Sequence, residues 1–121
     1  MDKQMLVEIF CGKISMEMEI FKLRIMAQKK EEIYGEAYRI DCVVRIYEQC
    51  VELSANLREE VLMILVGIPY LLEYMYDDWL KISDSSEEEL EISIADSISK
   101  IMRNKEKERE TDGKGNINTE S

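Results

Sequence analysis

The chain reads as an all-α protein, a compact bundle of about five helices with a flexible C-terminal tail, on three observations. Eight Met against five Gly and one Pro in 121 residues favour helix over sheet. Apolar residues recur at steps of three and four along most of the chain. Residues that open helices stand just ahead of several of those runs. The length suits one domain with a single core, assigned to residues 1–108, and a disordered polar tail, 109–121.

From Met5 to Met26 the apolar residues form two stripes at helical spacing. One carries Val7, Phe10, Ile14, Phe21 and Ile25; the other carries Met5, Ile9, Met16, Ile20 and Leu23. A helix striped on both sides is expected to lie centrally between neighbours; the alternative is that Ile9, Met16, Ile20 and Leu23 close a symmetric dimer. A second helix is expected from Lys30, with Glu31 and Glu32 in its first turn, where the helix dipole favours negative charge. Ile33, Ala37, Ile40, Val44, Tyr47 and Val51 would form its core face. Gly35 interrupts that pattern at a cost of about 1 kcal/mol relative to Ala, and close approach of a neighbouring backbone would account for it.

Asn56 and Glu59 have the spacing of a capping box for a third helix ending at Gly67. Pro69 then suits the first turn of a fourth helix, whose buried side would be Leu71, Leu72, Met75, Trp79 and Leu80. Ser85 with Glu88, and Ser86 with Glu89, form overlapping capping boxes for a fifth helix with Leu90, Ile94, Ala95, Ile98, Ile101 and Met102 inward. No repeat of the solenoid type recurs along the chain.

Charge is unevenly placed. The net value is −10, and residues 31–102 hold seventeen of the twenty-six acids with only five basic residues. Such a block repels nucleic acid and membrane phosphates and steers basic partners inward, so the expected partner is a protein with a basic surface. Direct nucleic-acid binding is not expected, because the one dense basic run, Arg103 to Arg109, alternates with Glu106 and Glu108. Cys11, Cys42 and Cys50 lack a CxxC spacing and leave one thiol over in any disulfide scheme, which suits a reducing, cytoplasmic setting. No signal-peptide pattern opens the chain, and the longest uncharged run, Val61 to Leu72, is too short to span a bilayer.

The chain contains no His, so Ser-His and Cys-His nucleophile pairs and imidazole metal sites are excluded. No phosphate-cradling glycine motif occurs, and three scattered Cys do not make a four-ligand zinc site. A non-enzymatic protein without cofactor or metal is expected. The acid pairs Glu31 and Glu32, Glu59 and Glu60, and Asp77 and Asp78 suit solvated helix faces better than acid-base chemistry, because adjacent helical side chains diverge. The most aromatic segment is interleaved with acids. Tyr70, Glu73, Tyr74, Asp77 and Asp78, followed by Glu87, Glu88 and Glu91, are the candidate partner-binding residues.

Two segments carry a resemblance: Glu31-Glu32-Ile33-Tyr34 with Ala37, Tyr38 and Ile40, and Leu71-Leu72 with Tyr76, Trp79, Leu80, Ser85, Leu90 and Ile98. Together they resemble a domain-of-unknown-function family of small acidic helical proteins from low-GC Gram-positive bacteria and their mobile elements. The resemblance implies no active site. It implies a mobile-element setting, in which an acidic helical protein docks on the basic nucleic-acid channel of a host defence nuclease, as an anti-CRISPR-like inhibitor would. A homo-oligomeric structural or regulatory protein is the alternative expectation.

Overall fold

Helix α1, Lys3–Met26, is the longest well-packed element of the all-α bundle and the one on which the others assemble. The computed structural model describes residues 2–81 and 87–120, with side chains for 2–81 and 90–108. After α1 come α2 (Lys30–Gly35), α3 (Ala37–Ser54), α4 (Glu59–Val66), α5 (Leu71–Leu80) and α6 (Glu87–Glu120). No strand occurs among the described residues, nor any helix long and apolar enough to cross a membrane. Helix α1 packs on α3, α4 and α5, and α5 in turn lies against α3 and α6.

The Asp2 carboxylate caps α1 by accepting from the Met5 N–H at 2.8 Å. Leu6, Phe10, Ile14, Met18, Phe21 and Ile25 face the core. The second stripe does not: Met5, Ile9, Met16, Ile20 and Leu23 are all exposed. Central burial of α1 is therefore overturned, because α3, α4 and α5 all pack on one side of it.

The expected second helix is two. It breaks at Gly35 and Glu36, where the Glu36 N–H bonds the carbonyl of Ile33 three residues back and α3 restarts from the Glu36 carbonyl. Nothing lies within 4 Å of the place a Cβ on Gly35 would occupy, so close packing is not the reason for this glycine. Its low helix propensity marks the break instead. The face of α3 is also rotated from expectation. Cys42, Val43, Ile46, Cys50 and Ser54 are buried, whereas Ile40, Val44 and Tyr47 are half-buried and Ala37 and Val51 exposed. Two apolar stripes one residue apart run along α3, about 100° from each other, and the one carrying small Cys and Ser side chains admits the neighbouring helices.

Asn56 does not cap α4; Arg58 takes that position without a side-chain bond, while Gly67 ends the helix as expected. Pro69 falls before α5 rather than in its first turn. The cap residue is Tyr70, held in the left-handed region at φ 55°, ψ 46°, a costly conformation for a bulky side chain. Leu71, Leu72, Met75 and Trp79 fill the core, but Leu80, about 100° round the helix from Trp79, is exposed. The expected caps Ser85 and Ser86 lie outside the described residues. In α6 the inward residues are Leu90, Ile94 and Ile101 with Ser93 and Ser97, and Ala95 is exposed. From Arg103 to Glu108 every side chain is exposed, and the tail expected at 109–121 lies outside the described side chains, although α6 extends to Glu120.

Candidate interaction surfaces

Two acids of the middle segment, Glu73 and Asp78, are engaged between helices of their own chain. Glu73 pairs with Arg24 at 3.3 Å and Arg39 at 3.8 Å, joining α5 to α1 and α3. Arg39 also stacks over Phe21 at 5.5 Å and Tyr76 at 6.0 Å, and Arg24 over Tyr70 at 5.7 Å. Asp78 is turned inward with 10% of its side chain exposed. It accepts from the Ser97 hydroxyl at 2.7 Å and draws in Lys100 at 3.6 Å and Lys81 at 3.8 Å, tying α5 to α6. Lys100 is raised above its ordinary value by its hydrogen bond to Asp96 and by the charge of Asp78.

Glu17 supplies a cap that the sequence did not reveal. Its carboxylate, on α1, accepts from the Leu72 N–H at 2.9 Å and is held by Lys13. It thus satisfies a free amide at the start of α5, where Tyr70 offers no side-chain cap. A small cavity of about 20 Å³, bordered by Glu17, Phe21, Arg24, Val43 and Glu73, lies beside this junction.

Of the eight candidate partner-binding residues, Tyr70, Tyr74, Asp77 and Glu91 are exposed. Glu73 and Asp78 are engaged internally as described, and the side chains of Glu87 and Glu88 lie outside the described residues. Paired carboxylates occur on α1, α3, α5 and α6 alike, through Glu17, Glu19, Asp41, Glu73, Asp78 and Asp96. Trp79 is core, as its spacing predicts, and donates its indole N–H to the Tyr38 hydroxyl at 3.0 Å.

The thiols are free, Cys42 and Cys50 buried and Cys11 half-buried. Burial, reinforced by the charge of Glu17, pushes Cys50 up to about 12. It stays protonated and inert at neutral pH. No group of three or more acid or thiol side chains converges as a metal site among the described residues.

Exposed apolar surface gathers in two places among the described residues. Along α1, Met5, Ile9, Met16, Ile20 and Leu23 are 50, 40, 64, 41 and 66% exposed, a continuous strip on the side opposite the core. At 1.5 Å per residue the 24-residue helix is about 36 Å long, and the strip runs most of its length. A second, smaller apolar surface lies across α2 and α3, a shallow groove lined by Ile33, Tyr34, Ala37, Ile40 and Val44.

The strip repeats. Residues 5–15 and 16–26 align without gaps at a spacing of eleven: Met5 with Met16, Glu8 with Glu19, Ile9 with Ile20, Phe10 with Phe21 and Ile14 with Ile25 are identical, and Lys13 matches Arg24. Eleven residues make about three whole turns, so each matched pair lies on one face of the helix. This repeat is legible in the sequence alone, but only at a period shorter than the roughly 20 to 50 residues of solenoid repeats.

Protein-family models, curated proteins and solved structures offer no match to this chain.

Proposed function

We propose that the protein is a non-catalytic association module whose working surface is the outer strip of α1. The observation that carries this reading is the strip itself: five large apolar side chains in line on one helix, exposed by 40% or more, while two of the candidate contact acids, Glu73 and Asp78, are engaged within the fold. Isolated exposed hydrophobics are ordinary, but a contiguous row along one helix is the form taken by a helix-packing surface.

Methionine footprinting with peroxide tests it. Met5 and Met16 lie in the strip, and Met63 on α4, exposed to a similar 62%, is the internal reference. In concentrated protein or in host lysate, Met5 and Met16 are expected to oxidise several-fold more slowly than Met63. Equal rates under all conditions would remove the strip as a contact surface.

Docking of acids on a basic nucleic-acid channel, as an inhibitor of a defence nuclease would require, is the second reading. It is supported by the exposure of Tyr70, Tyr74, Asp77 and Glu91. It is the weaker of the two, because Glu73 and Asp78 would have to leave Arg24, Arg39 and Lys100 to take part.

A further inference from the structure

We infer that the occupant of the α1 strip is a second copy of this chain, its α1 running parallel to the first about a two-fold axis along the helices. The inference rests on the reading of the strip as a contact surface and adds the partner and its direction.

Charge complementarity supplies the direction. At about 100° per residue, Glu8 and Glu19 fall on one flank of the strip and Lys13 and Arg24 on the other. In a parallel two-fold pair, opposite flanks meet. Glu8 then faces Lys13, and Glu19 faces Arg24, of the other copy, each five residues further on, the offset between g and following e positions in parallel coiled coils. In an antiparallel pair with Met5 opposite Leu23, like flanks meet and Glu8 falls beside Glu19 of the other copy. Glu19 and Arg24 are 70 and 56% exposed and so are free to reach across, although each also has a partner in its own chain, Lys22 and Glu73. Lys13 is held by Glu17 and adds less. These contacts lie at the rim, where they set orientation more than affinity.

Gly12 supplies the second argument. It sits in the middle of α1, in line between Ile9 and Met16, where Gly is less favourable than Ala by about 1 kcal/mol. Nothing in the chain comes within 4 Å of where its Cβ would be, so its own fold does not ask for a glycine. In the parallel pair Gly12 faces Gly12 of the other copy, where the absent side chains let two backbones approach closely. The eleven-residue period keeps Met5, Ile9, Gly12, Met16, Ile20 and Leu23 in register along such a seam and favours straight or slightly right-handed winding.

Sedimentation equilibrium and cysteine cross-linking decide it. The full chain is expected at twice its 14.2 kDa. Leu23→Cys, on a side chain 66% exposed, is expected to form a disulfide dimer under mild oxidation, above the background of wild type with its three native thiols. Positions 5 and 23 are about 27 Å apart along the helix, so the two directions are not confused. An antiparallel pair would leave Leu23→Cys uncross-linked and cross-link only Met5→Cys/Leu23→Cys, overturning the direction while the strip remains the contact surface. A chain of single mass up to several hundred micromolar would overturn the second copy as occupant, and the methionine footprint in lysate would then decide separately whether the strip binds anything.

Discussion

The seam between α5 and α6 and the outer face of α1 are opposites. At the seam, a carboxylate that composition alone would count as free negative charge is enclosed by Ser97, Lys81 and Lys100. On α1, a row of side chains that periodicity alone would place in a core lies open to water. The difference teaches that net charge misplaces the unsatisfied groups in this molecule. Asp78 and Glu73 are answered within the fold, and the apolar row on α1 is not.

Substitutions at the seam should therefore cost stability, and those on the strip should cost association. The largest effect is expected for Trp79→Ala, which empties a core position 4% exposed and leaves Tyr38 without its indole donor. A loss of about 3 to 5 kcal/mol is expected from urea unfolding. Tyr38→Phe, which removes only the hydrogen bond, separates the two contributions and should cost about 1 kcal/mol.

Asp78→Ala comes next. It leaves the fully buried Ser97 hydroxyl unpaired and removes the anchor of Lys100 and Lys81, for an expected loss of about 1 to 3 kcal/mol by the same measurement. If Asp78 acted instead as a free contact residue, the change would fall within about 0.5 kcal/mol, as for other surface substitutions.

The pH dependence sharpens the same contrast. Three groups among the described residues are raised: Cys50 to about 12, chiefly by burial, Tyr76, chiefly by burial, and Lys100 by Asp96 and Asp78. For each, the folded state holds its proton more tightly than the unfolded chain, so stability is fully present below the ordinary value and declines as pH rises through the folded one. Thermal melts should therefore hold steady to about pH 9 and fall towards pH 12, the window set by Cys50. Cys50→Ala should flatten the first part of that decline. Alkylation at pH 8 should reach Cys11 before Cys50, and equal rates would mean the α3 and α5 core opens readily.

Much of this was legible in the sequence and some was not, for identifiable reasons. The all-α class, the helical stretch from Met5 to Met26, the stop at Gly67, and the core placement of Met75 and Trp79 follow from spacing and helix signals. The face of α3 was misread because Val44 and Val43, or Tyr47 and Ile46, serve two stripes almost equally, and only the neighbouring helices decide between them. Glu17 as a cap, and Asp78 as a tie, join residues 55 and 19 apart in the chain, a distance at which no local pattern operates. The strip was visible, but its exposure was not, since a helix packed on one side and one packed all round share the same double periodicity.

The smallest expected effect has the opposite sign to the seam variants, which makes it the sharpest way to break the comparison. Gly12→Ala, measured where the chain is dilute enough to be monomeric, adds a methyl group to open space and removes a backbone that is freer in the unfolded chain. It should raise stability by about 0.5 to 1 kcal/mol. At higher concentration the same methyl stands between two helices that approach most closely at that residue, and the dimer should weaken as the monomer gains. A substitution that stabilises the chain alone and loosens the pair would place the reason for Gly12 outside the monomer. If instead Gly12→Ala destabilised the dilute chain, the glycine would have a role within its own fold, and the distinction between a satisfied interior and an unsatisfied outer face of α1 would lose one of its two supports.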